Sequence, residues 1–213
     1  MPRSHPIVAA NYITFGPVTL ALLGARVPTL YMTLARGRSL QDLGITAHQL
    51  IPSLALCLLL GWDTFRETLG SLGWQLTREL VPLVAMTLVV GLFEAVFFRG
   101  WLQLRFEEAF GMVPGLMLAA LLYSLDHVGY DMTGREMLFL FGLGLTFGAV
   151  FRLTKSTFIL WPFNIPAGSL YRNVVEGLNM PFEATCGFVL TLVLMVAIIL
   201  GTAVARSRRK DRP

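Results

Sequence analysis

Four side chains in this sequence have the types and spacing for acid–base chemistry in an apolar medium: Glu94, Arg99, Tyr123 and His127. Glu94 lies in an apolar run that starts at Leu80, and nothing charged stands between Glu79 and Glu94. A carboxylate that deep in hydrocarbon-like sequence costs about 3 kcal/mol on insertion scales. It is tolerated when protonated, paired or facing a wet cavity. Arg99 follows five residues later, about one and a half helical turns on. Two readings fit this window: a functional polar site inside a membrane bundle, or a structural Glu–Arg contact that locks helices together.

The second pair lies beyond a chain breaker, Gly111-Met-Val-Pro-Gly115. Tyr123 and His127 are spaced i, i+4, so phenol and imidazole share a helix face. Glu94 is 18 residues before Met112 and His127 is 15 after it. Those counts put the two about 27 and 22 Å from the turn, so antiparallel neighbours bring them to similar depth. Such a pair can hold a metal, share a proton or simply hydrogen-bond. Asp126 points elsewhere on a helix and marks a helix end near Gly129-Tyr-Asp131.

The elements that must position these groups are membrane helices. The chain is 55% hydrophobic and 14% charged over 213 residues, against about 25% charged in a soluble domain. That composition predicts an all-α, polytopic bundle of about six to eight membrane helices, forming one integral membrane domain over residues 1–213. Apolar runs fall at 7–24, 51–69, 80–98, 116–127, 137–153, 158–170 and 188–204. The first reads as an uncleaved helix, followed by a loop from Arg26 to Gln49. Leu102, Phe106 and Phe110 keep helical spacing, so the third helix is expected to run on to Gly111. Within 36–46 a polar turn precedes a short amphipathic piece. Gly142, Gly144 and Gly148 form a close-packing face. Trp62, Trp74, Trp101 and Trp161 flank spans and read as interfacial anchors.

Charge placement sets topology. With the C-terminus in the cytoplasm, 12 of the 17 basic residues fall inside, among them Arg26, Arg36, Arg38, Arg99, Arg105, Arg152, Lys155 and the 206–213 tail. The expectation is N-terminus out, C-terminus in. A pI near 9.4 then reports topology and anionic membrane lipid, not nucleic acid. Cys57 and Cys186 form no CxxC and read as packing residues.

Glu94-Ala-Val-Phe-Phe-Arg99-Gly100 resembles the first motif, EExxxR, of the CAAX-protease and bacteriocin-processing (CPBP) intramembrane endopeptidases. Tyr123-Ser-Leu-Asp-His127 resembles their second motif, FxxxH, at a similar separation. The glycine-rich run 141–162 is similar to the approach to the third motif, and Ser39-Leu-Gln-Asp-Leu-Gly44 to the early polar segment. The resemblance covers roughly residues 80–172. It implies a polar cavity within a helix bundle, in a bacterial plasma membrane, open to the cytoplasm. The implied substrate is a prenylated protein or a membrane-associated peptide, hydrolysed for CAAX processing or bacteriocin maturation and immunity. Carried over, Glu94 is the general base, His127 a metal ligand or oxyanion stabiliser, and Arg99 an organiser of the site. Tyr123 and Asn164 support them.

The sequence departs from the family in two places. The second glutamate of the first motif falls on Ala95, and the third motif, HxxxN or HxxxD, would fall at 166–170, where there is no histidine. His5 and His48 read as solvated. A catalytic zinc usually takes three protein ligands, and Glu94 with His127 supplies two. No cofactor is therefore certain: a zinc held by Glu94 and His127 is the less favoured expectation, a metal-free glutamate/histidine site stays open beside it, and Asn164 would hold a water or cap a break before Pro166. Two further functions stay open. One is an inactive relative acting as a scaffold or immunity factor. The other is a small proton-coupled transporter, which would also need a buried glutamate and histidine.

Overall fold

The computed structural model describes residues 14–75, 77–128 and 132–210. Seven helices carry them, and no strand occurs among the described residues. We number them α1 (14–35, in the consecutive segments Thr14–Arg26, Val27–Leu30 and Tyr31–Ala35), α2 (Leu50–Ser71), α3 (Leu80–Phe110), α4 (Met112–Leu125), α5 (Gly134–Thr154), α6 (Asn164–Val175) and α7 (Ala184–Lys210). Short 3-10 turns occupy Leu40–Leu43 and Thr157–Ile159.

Three helices are long and apolar enough to cross a membrane: Leu80–Phe110, Gly134–Thr154 and Ala184–Arg208. Shorter apolar helices occupy Thr19–Ala35 and Met112–Leu125. With few polar groups on their flanks, such helices satisfy their backbone internally and turn apolar side chains to lipid. The protein is an integral membrane helix bundle. At its centre α3 packs against α1, α6 and α7, while α4 pairs with α5 and α2 with α6.

Local chemistry sets the boundaries. α3 stops at Gly111, whose φ of 88° and ψ of 168° are open to glycine and strained for other residues. The chain restarts at once, because Pro114 falls in the first turn of α4, where no amide donor is needed. Gly115 lets α4 fold back onto the Phe106–Glu107 backbone, which a Cβ would strike. α5 opens on a capping box: Thr133 N–H donates to Glu136 at 2.7 Å and Glu136 N–H to the Thr133 hydroxyl at 3.3 Å.

Three expectations need correction. The loop expected from Arg26 does not begin there, since α1 continues to Ala35 with Arg26 exposed on its side. Apolar residues on both sides of Arg26 sustain the helix. The run 158–170 is not one span. Pro162 lacks the amide a helix requires, so a turn separates Thr157–Ile159 from α6. Conversely, α2 runs unbroken through Asp63, Arg66 and Glu67, all three exposed. The part of the first apolar run before Thr14, His5, and the Gly129-Tyr-Asp131 turn lie outside the described residues.

The segment 36–46 is amphipathic as expected. Ser39 and Asp42 cap the Leu40–Leu43 turn, and Leu40 and Leu43 are buried. Its carbonyls reach the core. Thr157 donates to Gly44 O from both its amide (3.0 Å) and its hydroxyl (3.1 Å).

Candidate active site

Glu94 ends the first α-helical stretch of α3, and the nine residues Ala95–Gln103 follow with π-helical hydrogen bonding. This matters for register. In a regular α-helix, residues five apart point about 140° away from each other. The wider i→i+5 turn swings the fifth residue back toward the first one's face. Glu94 and Arg99 therefore address the same neighbour, Tyr123 of α4.

The Tyr123 phenol hydrogen-bonds the Glu94 carboxylate. The Arg99 guanidinium carbon lies 4.8 Å from the centre of the Tyr123 ring, a cation–π contact. Phe98 packs edge-on against the same ring at 5.5 Å and Phe147 at 6.5 Å. Glu94, Arg99 and Tyr123 are respectively 5%, 1% and 4% exposed. Glu94 and Arg99 act on each other's charge, yet neither terminal nitrogen of Arg99 hydrogen-bonds the Glu94 carboxylate. The structural reading of a direct Glu–Arg lock is thus not what the fold builds; the tyrosine mediates between them.

Glu94 Oε2 and both terminal nitrogens of Arg99 are buried with no hydrogen-bond partner among the described residues. An uncompensated buried charge costs several kcal/mol. Such a set is held in a native fold when a polar occupant, a water or a peptide group, completes it.

His127 lies one turn beyond Tyr123 and is half-buried, its ring 5.0 Å from the tyrosine ring. Its Nδ1 is 2.8 Å from the Tyr123 carbonyl oxygen. A carbonyl only accepts, so Nδ1 carries the proton and the neutral ring keeps its lone pair on Nε2. Glu94 and His127 both touch Tyr123, one at the phenol and one at the ring. α4 ends at Leu125, with Asp126 as its cap and exposed. The Asp126 charge nevertheless acts on Glu94 and Tyr123, an influence that helical spacing alone did not indicate.

Asn164 begins α6, and its backbone amide donates to Cys57 Sγ at 3.2 Å, as does Phe163 N–H at 3.3 Å. Cys57 is therefore more than a packing residue: its sulfur accepts two otherwise unpaired amides at a helix start. α6 reaches α3 through Pro166, which occupies the space a Cβ on Gly91 would need. Trp161 donates its indole N–H to Leu88 O at 2.9 Å, so it ties the turn to α3 and is not an interfacial anchor.

Ala95, where the family carries its second glutamate, is fully buried in an apolar cluster with Phe147, Phe151, Ile159, Leu160 and Ile165. Two further residues support the site and were not singled out by sequence reasoning. Gln103, fully buried one turn after Arg99, donates to Glu107 Oε1 (2.9 Å) and Gly148 O (3.1 Å). Leu43 lays its carbonyl against Gly100 so closely that no Cβ fits. The i, i+4 spacing of Arg99 and Gln103 was a readable signal; the Leu43–Gly100 approach had none. On the glycine face, a Cβ on Gly144 would lie 3.1 Å from Ala120 and one on Gly148 would strike Leu116 and lie 2.8 Å from Gln103, whereas one on Gly142 would meet nothing within 4 Å.

No group of three His, Cys, Asp or Glu able to hold a metal forms among the described residues. The donors around Glu94 are a phenol, a guanidinium and one imidazole, and guanidinium is no ligand. This donor set does not fit a three-ligand zinc site.

The fold thus buries a carboxylate, a guanidinium and a phenol beside a histidine inside a membrane helix bundle. Residues 76–164 match the family described as Type II CAAX prenyl endopeptidase Rce1-like, so the stretch carrying both motifs is similar to that family. The match ends at Asn164, before the position expected for a third motif. No curated protein and no solved structure matches the chain.

Proposed function

We propose that the chain is a CAAX-type intramembrane endopeptidase that hydrolyses a peptide bond in a prenylated protein or other membrane-associated peptide. The carrying observation is the buried Glu94–Tyr123–Arg99 group within the stretch that matches the endopeptidase family. Glu94, oriented by the Tyr123 phenol, takes a proton from water. The water oxygen bonds to the scissile carbonyl carbon, and the resulting oxyanion is met by the Arg99 guanidinium and, once Nε2 has taken up a proton from solvent, by His127. Collapse breaks the C–N bond, and the proton on Glu94 passes to the leaving amine. Every step uses side chains of this chain. The basic end of the bundle, with Arg36, Arg38, Arg105 and Arg152, faces the cytoplasm in this reading, with the C-terminus.

A second reading has its own support. Ala95 lies in an apolar cluster, and the 166–170 stretch presents buried Pro166, Ala167 and Leu170 where a histidine is expected. On that reading the protein is an inactive relative that binds a membrane peptide as a scaffold or immunity factor. Cleavage of a prenylated CAAX reporter by the purified protein decides between them. Wild type should exceed Glu94→Gln and His127→Ala by about 10²–10⁴-fold. Equal turnover in all three removes the enzyme.

A further inference from the structure

A second polar cluster lies apart from the Glu94 group, at the end of the bundle where α1, α3 and α7 meet the 36–39 turn. Tyr31, Arg36, Trp101, Arg105, Glu108 and Ala109 line a cavity of about 500 Å³. Arg36, Arg38 and Arg105 all converge on one carboxylate, Glu108. The Arg105 terminal nitrogens lie 2.5 and 2.8 Å from its oxygens, Arg36 at 3.5 Å, and Arg38 also pairs with it. From α7, Arg206 donates to Gly37 O at 2.8 Å beside them. One acid thus pairs with three guanidiniums, and a fourth holds the carbonyl of the glycine between Arg36 and Arg38.

The donors outnumber the acceptors in a way that can be read atom by atom. Trp101 Nε1, Arg105 Nε and Arg206 Nη1 are buried with no acceptor among the described residues. The first two belong to residues lining the cavity, and the Arg105 side chain is only 15% exposed. Glu108 has two oxygens, and the three guanidiniums already share them. A cavity rich in donors and poor in acceptors suits a ligand with several anionic oxygens around one centre, which is the geometry of phosphate. Tyr31 and Trp101, edge-to-face at 6.1 Å, form an aromatic wall of the kind found at the membrane–water boundary. Helix ends are also where lipid headgroups lie.

We propose that this cavity binds an anionic phosphate ester, with Arg36, Arg105 and Trp101 as the recognising donors and Glu108 as an internal competitor. The chemistry is shared by an anionic phospholipid headgroup and a free phosphate-bearing ligand. The test uses the full chain, delipidated in detergent and in nanodiscs, with native mass spectrometry and titration. The probes are phosphatidylglycerol, phosphatidylcholine and inorganic phosphate. Phosphatidylglycerol should bind at least about tenfold more tightly than phosphatidylcholine, whose choline offsets the phosphate charge. Trp101→Phe and Arg105→Ala should each weaken it by about three- to tenfold. Glu108→Gln should strengthen binding several-fold by releasing the guanidiniums, a sign that mere loss of folding would not produce. Arg66→Ala, on the exposed side of α2, should leave it unchanged. Inorganic phosphate binding within about tenfold of the lipid assigns the site to a free ligand; weaker phosphate binding assigns it to the headgroup. Equal binding of the two lipids, weakening by Glu108→Gln, an equal loss in Arg66→Ala, or binding of neither anion would overturn the proposal.

Discussion

Restoring the family's paired glutamates by Ala95→Glu is expected to damage this protein. Ala95 is fully buried and touches the cluster of Phe147, Phe151, Ile159, Leu160 and Ile165. The substitution adds four heavy atoms to that close-packed group, an overpacking cost of about 1–3 kcal/mol. It also buries a carboxyl with no polar neighbour in the cluster, at roughly 2–7 kcal/mol. The combined loss is about 3–10 kcal/mol. Even its lower end should reduce the thermal midpoint by roughly 6–12 °C for a chain of this size. The assay is thermal unfolding of the purified protein in one detergent, run beside reporter cleavage. Ala95→Leu separates the two costs, since it adds a comparable volume without polarity and should lose only the overpacking part. An unchanged midpoint with Ala95→Glu, or a gain in cleavage, would show that the position opens toward the Glu94 site. Apolar packing would then not be the reason this chain carries alanine where the family carries glutamate.

Three further outcomes follow from the same geometry. Tyr123→Phe keeps the edge contact with Phe98 but removes the phenol from Glu94; kcat for reporter cleavage should fall about tenfold or more, since hydrogen bonds to charged groups contribute about 1.5–3 kcal/mol, and an unchanged kcat would deny Tyr123 its orienting role. Gly100→Ala forces a methyl onto the Leu43 carbonyl backbone, which has no rotamer to yield; the expected loss is about 1–3 kcal/mol in denaturant unfolding, and wild-type stability would contradict the close approach. Cys57→Ala strips the shared acceptor from the Phe163 and Asn164 amides, so hydrogen exchange at the start of α6 should accelerate by an amount reflecting about 1 kcal/mol, whereas Cys57→Ser should restore much of the protection; equal exchange in all three would show that the sulfur is not a cap.

The amino-acid order alone determined the membrane class, the turn at Gly111 and the pairing of Glu94 with the Tyr123–His127 face. Hydrophobic runs, a breaker and an i, i+4 spacing are local properties that need no tertiary context. It also carried the resemblance to the CAAX endopeptidases, through two short motifs whose separation the hairpin of α3 and α4 requires. Tertiary structure decided the rest. The π-helical register of 95–103 brings Arg99 round to Tyr123, and no composition signal marks that widening, because its hydrogen-bond shift depends on what packs against the helix. The turn before α6, the Cys57 cap and the Leu43–Gly100 approach join residues far apart in the chain, so their partners appear only once the helices have packed. Whether Arg99 pairs directly with Glu94 or across a tyrosine ring was likewise open in the sequence. Spacing along one helix fixes direction only for a standard turn, and here the turn is not standard.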